Sequence, residues 1–425
     1  MGDGFRQAGY NIKLSAEMDP HCHKTLVARE LYYSNKSKYI NYLNSGLSLE
    51  KYLSSSDYNH LSKNVLKIHL DIKNLKIISE KSTGADVLVG GPPCQAYSII
   101  GRSRDQNRKR KDPRHILFKV YLRLLDLIKP KFFIYENVPG LLSAESEDGI
   151  ITKMFIDDLN KLNTSYVIIP KMINSNQLSI ISNNTLRDYV TNMADYGIPQ
   201  MRKRVILIGV KKKIYDKNKR VIDGLWDNIN KHKTGRNNVK SAIWDLPVLN
   251  IMKLNFGNNR TSQNYRKVRK SEYAKIMDSG FGVYNHESRT HMDSDLKRYQ
   301  YFIKNTKPGC QRPSIKTLEN DRPDLIPNHK NRTSFMDRFK VQLYSEPAST
   351  ITAHISKDGH YYIHPDIKQC RSFTVREAAR IQSFPDNFFF EGPRTEQFKQ
   401  VGNAVPPMFA KIVAQELKLI LDKIK

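Results

Sequence analysis

Residues 89–98 read VGGPPCQAYS, from Val89 to Ser98. The run that leads in, Ala85-Asp86-Val87-Leu88-Val89, has the apolar, β-branched character of a short buried strand, and two glycines followed by two prolines forbid its continuation. Cys94 is therefore delivered on a stiff loop at a strand's edge. A free cysteine is often a buried, inert thiol. A double Gly and a double Pro are conformationally expensive at a strand exit, however, and point to a functional loop.

Outward from this loop, residues 10–210 alternate strand-like and helix-like segments, the signature of a sheet with helices on its faces. NIKLSAEMD (11–19) reads as a strand ending at acidic residues. Ile116, Leu117, Val120, Tyr121, Leu124, Leu125 and Ile128 recur at helical spacing after Pro113 and make one apolar face. KFFIYE (131–136) is the next strand, GIITKMFIDDLNKL (149–162) a helix, and YVIIPKMI (166–173) and RVILIGV (204–210) further strands. The expected fold is α/β, a doubly wound and mostly parallel, Rossmann-like sheet. After Val210 the chain turns polar and basic to about residue 340, too long for structureless loop in a compact protein. Thr374 and Glu377 then spell a capping box at a helix start. Phe409, Ile412, Val413, Leu417, Ile420, Leu421 and Ile424 line one face of a last helix opened by Pro406-Pro407.

Lys and Arg number 70 against 42 Asp and Glu, a net charge of +28. Such an excess calls for a polyanionic partner, nucleic acid first. No run approaches the roughly 18 to 20 apolar residues of a membrane span, and no signal-peptide core is present, so a cytoplasmic protein without membrane contact is expected. The four cysteines are scattered. They form neither a disulfide framework nor a zinc pattern, and no metal is expected, the His21-Cys22-His23 run lacking a second cluster.

Three blocks carry chemistry. Cys94 is the first. The second, YENVPG (135–140), sets Glu136 at another strand end, and ligands of open α/β sheets bind at the carboxyl ends of strands. The third is YGIPQMRKRVILIG (196–209), in which Gln200, Arg202 and Arg204 alternate and are expected to project on one side. An ordinary thiol has a pKa of about 8.5, and neighbouring guanidinium groups raise its thiolate share.

GGPPCQAYS, ENV, QMRKR, TVREAARIQSFPDNF and QVGNAVPP follow in an order that resembles the cytosine-5 DNA methyltransferases of bacterial restriction-modification systems. The resemblance implies transfer of a methyl group from S-adenosylmethionine to C5 of a cytosine flipped out of duplex DNA. Cys94 is then similar to the nucleophile that attacks C6, Glu136 to the acid that holds N3 and the exocyclic amine, and Arg204, with Arg202 in support, to the arginine that contacts the base. Glu17 matches the ribose-binding acid and Asp71 the residue at the adenine amine, flanked by Met18 and Ile72. Gly91, Pro92, Asn403 and Val405 complete the cofactor set. The basic segment GRSRDQNRKRKDPRH (101–115) is similar to the loop that closes over DNA, so Gln95, Ser98, Arg102, Arg104, Arg108, Lys109, Arg110 and Lys111 are DNA-binding candidates. The implied organisation is a catalytic domain at 1–210, a target-recognition region at 211–345, a motif-bearing return segment of the small domain at 346–399, and a C-terminal segment at 400–425 that packs back on the catalytic domain. The implied partners are duplex DNA and a cognate restriction endonuclease, with the enzyme acting as a monomer.

The sequence departs from the family at its first motif, a strand followed by Phe-x-Gly-x-Gly-Gly. The opening MGDGFRQAGY matches the helix that follows that loop, so the first strand is expected to be absent from residues 1–425 and cofactor binding to be weak. An internal or truncated start, a strand supplied by a partner chain, and a degenerate copy are the three explanations. Two other readings keep the scaffold: a related branch acts on RNA, and a non-catalytic homologue would only bind DNA.

Overall fold

The computed structural model describes residues 1–92, 117–146, 149–171, 186–251, 255–327 and 337–424. Cys94, Gln95, Ser98, Arg102, Arg104, Arg108, Lys109, Arg110 and Lys111 lie outside the described residues.

Helix α1 (Gly2–Gln7) precedes strand β1 (Ser15–Glu17) and helices α2 (Pro20–Ser34) and α3 (Lys36–Ser45). Asp19 starts α2 as its N-cap, accepting the N–H groups of His21 and Cys22 at 2.9 and 2.8 Å, with Pro20 at the first helical position. Strand β2 (Val65–Lys67), α4 (Leu75–Lys81), β3 (Val87–Gly90), α5 (Leu117–Ile128) and β4 (Phe132–Asn137) follow. Next come α6 (Ile151–Asn160), β5 (Tyr166–Ile168), β6 (Val190–Asn192), β7 (Gln200–Met201) and β8 (Lys203–Lys211). The expected strands and the apolar helix after Pro113 are thus present, in an α/β fold.

The sheet is mixed. Its order is β3-β4-β8-β5, with β6 also paired to β8. β3 and β4 run parallel, whereas β8 is antiparallel to β4, β5 and β6. β1 and β2 form a separate parallel pair, Ser15 opposite Val65 and Glu17 opposite Lys67. Both sheets rest on one helix layer. Leu14 and Ala16 from the β1 side, and Ala85 and Leu88 from the β3 side, pack on Leu75 and Ile78 of α4 and on Leu124 and Ile128 of α5. Among the described residues no strand bridges β1 and β3.

The chain beyond Val210 stays with this core longer than its polar composition suggests. Helices α7 (Lys212–Asp223) and α8 (Leu225–Lys231) bury Tyr215, Ile222, Leu225, Trp226 and Ile229 in the core that contains β4 and β8. The expected boundary at 210 therefore falls inside this packing unit. A second core begins at α9 (Val239–Ile243) and takes in α10 (Glu272–Met277), the short strand β9 (Ala348–Ser349), α11 (Val375–Ile381) and residues of α12 (Arg394–Asn403). The two units are joined where β9 pairs in parallel with β7, Ala348 opposite Gln200. The last helix, α13 (Pro407–Lys423), returns to the first core, where Phe409, Val413 and Leu417 are buried with Phe5 of α1. Among the described residues no helix is long and apolar enough to cross a membrane.

Helix α11 begins with the expected capping box, Thr374 and Glu377 exchanging bonds. Every residue of α11 is buried, Arg376, Glu377 and Arg380 included. A buried charge is tolerated only when it is paired and hydrogen-bonded. Arg371 forks onto Glu377 with two bonds of 2.7 Å, and Arg380 spans Asp245 and Asp386 at 2.6 Å each. Arg376 donates to the carbonyls of Tyr284 and Phe388 at 2.9 and 2.8 Å. Burial alone would push the Glu377 carboxyl up, but the Arg371 guanidinium holds it well below the usual carboxylate range. His286 and His364 stand beside this pair, and burial pushes their imidazoles down to about 4 and about 3.

Both imidazoles stay neutral in the folded protein while the unfolded chain protonates them below about pH 6.5. The stability they contribute is complete above that pH and is lost as pH falls toward 4. The thermal midpoint should drop across this window, and a His364→Gln variant should show a shallower drop, read by calorimetry at a series of pH values.

Candidate active site

The site is built where β4, β8 and the exit of β3 meet. β4 buries Phe132 to Tyr135 and Asn137, so that Glu136 is its one residue not fully buried. Ile206 of β8 lies directly opposite Glu136, which brings Arg204 near the end of β4. The Arg204 Nε donates to Glu136 Oε1 at 2.9 Å, with both side chains about nine-tenths buried. A second Arg204 nitrogen is tied to its neighbour's carbonyl, Lys203 O, at 2.8 Å, which fixes the guanidinium plane. A carboxylate held this way presents its other oxygen in a defined direction.

That oxygen faces the β3 exit. A Cβ placed on Gly91 would sit 2.7 Å from Glu136 Oε2 and 3.1 Å from the Glu136 carbonyl. The second glycine of the GGPP run is thus required because the Glu136 carboxylate occupies the space of a side chain. Next to it, the Asn137 amide reaches the Pro92 carbonyl at 3.4 Å. Asn137 is 1% exposed and was not singled out by the sequence; its place in YENVPG, one residue after the acid, is the only signal that could have found it. Gly91 and Pro92, expected at the cofactor, are here neighbours of the acid, and Cys94 follows them by two residues.

Gln200, Arg202 and Arg204 do not share one side. Arg202 donates its N–H to the carbonyl of Gln200 at 2.9 Å, and this tight turn between β7 and β8 breaks the alternation of an extended strand. Arg204 goes to Glu136, whereas Gln200 and Arg202 go to the junction between the two cores. Gln200 donates to Ile381 O at 2.9 Å and accepts from Ile351 N at 3.0 Å. Arg202 is 1% exposed and donates to the carbonyls of Ile351, Gly402 and Ala404 at 2.8, 3.2 and 2.8 Å. It holds the Gly402-Asn403-Ala404 backbone rather than facing Glu136. The approach there is close: a Cβ on Gly402 would lie 2.2 Å from the Ala353 nitrogen.

The remaining candidates lie at the end of β1, beyond β2 and at the end of α12. Glu17 Oε1 accepts the N–H groups of Met18 and Asp19 at 2.8 and 3.0 Å, which anchors the carboxylate at the end of β1. Met18 is exposed at 59%. Asp71, four residues past β2, uses Oδ1 to cap the Ile72–Asn74 turn through Asn74 N at 3.0 Å. Each acid is thus oriented through one oxygen, and two such carboxylates form an acceptor set suited to the hydroxyls and amine of a nucleoside. Asn403 is exposed, while Val405 lies in the core wall near Ile134 and Ile206.

A mixed α/β sheet that gathers a carboxylate–guanidinium pair beside a glycine exit loop, with anchored acids following the strands of a separate parallel pair, has the form of a Rossmann-like methyltransferase. The crystal structure of a protein described as a DNA modification methyltransferase encoded within an E. coli prophage superposes with a TM-score of 0.57 at 20% identity, covering 99% of this chain and 95% of that one. The C-5 cytosine-specific DNA methylase family matches residues 56–419. The type II methyltransferase M.Bpa9945I of Bacillus paralicheniformis is 41% identical over 350 residues, 80% of this chain and 72% of that protein. M.DdeI of Desulfomicrobium norvegicum is 30% identical over 400 residues, 90% and 85% of the two chains. The chain belongs to the C-5 cytosine-specific DNA methylase family. It is a DNA (cytosine-5-)-methyltransferase dependent on S-adenosylmethionine.

A Gly91→Ala substitution should displace the Glu136 carboxylate with little effect on stability, since its backbone does not require glycine. A shift of about 1 Å at a catalytic group costs on the order of 100-fold. Methyl transfer should fall by that order while the thermal midpoint stays near wild type.

Proposed function

We propose that the chain methylates C5 of a flipped-out cytosine through a transient bond between Cys94 and C6. The observation that carries this reading is the Glu136–Arg204 pair, held at 2.9 Å with Gly91 packed on the free carboxylate oxygen. Flipping costs about a few kcal/mol of stacking and pairing. The Cys94 thiolate attacks C6, and the electron pair of the C5–C6 double bond moves toward C5, which becomes nucleophilic. Glu136 takes the ring's N3 and exocyclic amine, sharing a proton with N3 as negative charge develops. Arg204 fixes Glu136 and lies within reach of the base. Once C5 carries the methyl group, its proton leaves to water, the freed electron pair restores the C5–C6 double bond, and the Cys94 Sγ–C6 bond breaks to return the thiolate.

S-adenosylmethionine, when bound, supplies an electrophilic methyl group. Glu17 would hold its ribose hydroxyls and Asp71 its adenine amine, flanked by Met18 and Ile72, with Asn403 and Val405 closing the pocket. Arg202 is a positioning residue, since it ties the backbone on both sides of Asn403 to the strand that carries Arg204. Gln95 and Ser98 would meet the target, and Arg102, Arg104, Arg108, Lys109, Arg110 and Lys111 would contact phosphates, adding affinity without sequence information. The enzyme acts as a monomer on duplex DNA and protects sites cut by a cognate endonuclease.

Labelled methyl should pass from S-adenosylmethionine to mixed-sequence duplex DNA, and Cys94→Ser should reduce it to background. Equal labelling by the two proteins would refute the covalent route. Among the described residues no strand joins β1 to β3, which sets the acids at Glu17 and Asp71 apart from the strand ends at Gly91 and Glu136. Residues 1–425 should therefore bind S-adenosylmethionine weakly, and a low-micromolar dissociation constant by calorimetry would contradict this.

A further inference from the structure

On the second unit, away from Glu136 and Arg204, an open pocket of about 310 Å³ lies between α9 and α10. Its lining includes Lys240, Trp244, Asp245, Arg269 and Lys270. The one carboxylate among them is spoken for: both oxygens of Asp245 accept from Arg380, at 2.6 and 3.2 Å. Lys270 is likewise matched, by Asp278. Lys240 and Arg269 are exposed. The carboxylate nearest in sequence to Arg269, Glu272, feels its charge but is bonded to Lys275.

Trp244 is already engaged by cations. The Lys240 ammonium lies 4.9 Å from its ring and the Arg266 guanidinium 4.6 Å, while Arg266 also donates to the Trp244 carbonyl at 3.0 Å. The edge of Tyr344 meets the same indole at 5.4 Å. An indole so covered is a poor platform for stacking a base; of the pocket's cations it holds Lys240, with Arg266 beside the pocket, while Arg269 is not among its contacts. Held cations cost less to order around an anion than free lysines do. Exposed Lys267 adds charge next to this cluster.

We propose that this pocket is a docking point for a backbone phosphate of the DNA, bound by Lys240 and Arg269 outside the catalytic cleft. The proposal rests on the DNA methyltransferase reading and extends the DNA footprint across the second unit. A phosphate contact contributes affinity without regard to sequence and steepens the salt dependence by about 0.9 per phosphate.

The test is equilibrium binding of the full chain to a mixed-sequence duplex across about 50 to 200 mM salt, the range over which such contacts are weakened. Lys240→Gln/Arg269→Gln is compared with Lys213→Gln/Lys217→Gln, which removes the same charge from exposed positions on α7. The pocket variant should lose several-fold in affinity and about one unit of log–log slope, with Arg269→Gln alone giving part of each. An unchanged slope, or an equal loss in the α7 variant, would overturn the pocket. Wild-type methyl transfer to the same duplex separates the two ideas. A protein that methylates DNA with a salt slope indifferent to Lys240 and Arg269 refutes the pocket alone, whereas one that binds no DNA at any salt refutes the reading beneath it.

Discussion

Strand β8 is hydrogen-bonded to β4, β5 and β6, and most of the site hangs from that central position. Seven consecutive residues, Arg204 to Val210, are buried, so both faces of the strand are packed, and a slip by one residue would carry Arg204 to the opposite face, away from Glu136. Its register with β4 sets Ile206 against Glu136, and that single pairing puts guanidinium and carboxylate within bonding distance. The glycine at the β3 exit then has no choice of residue, because the carboxylate has taken the volume of a Cβ.

The same strand reaches the second unit through the turn at Arg202. One guanidinium collects three carbonyls from two separate segments, Ile351 on one and Gly402 and Ala404 on the other. An arginine suits this task better than a lysine, since its planar fork offers several donors at fixed angles and stays charged when buried. The junction is otherwise made of close backbone approaches, as at Gly402 and Ala353. Parts of the chain far apart in sequence are thereby set against the strand that carries Arg204.

Much of this was legible in the residues, for reasons that can be named. Strand exits at GGPP and ENVPG announce themselves through Gly, Pro and the change in period, and the capping box at Thr374 and Glu377 is a purely local device. What stayed hidden depends on partners remote in sequence. Nothing local marks the arginines of α11 for burial, yet Arg380 is buried because Asp245, 135 residues earlier, meets it. The alternation of Gln200, Arg202 and Arg204 fails at a turn that no propensity marks. Strand direction is equally silent, because a buried apolar run looks the same parallel or antiparallel. Lysine-rich stretches such as KKKIYDKNKR likewise mask the few positions, Tyr215 and Ile222 among them, that anchor α7 in the first core.

The interrupted sheet divides the first unit in a second way. Continuous hydrogen-bonded ladders transmit displacement from strand to strand, but β1–β2 and β3–β4 are linked through side-chain packing on α4 and α5. Leu75, Ile78, Leu124 and Ile128 make that link by close packing, without a ladder between the two pairs among the described residues. Among the described residues the acids that follow β1 and β2 and the acid of β4 therefore sit on two separate ladders that share one helix layer. A molecule bridging them would act as a strut between the two.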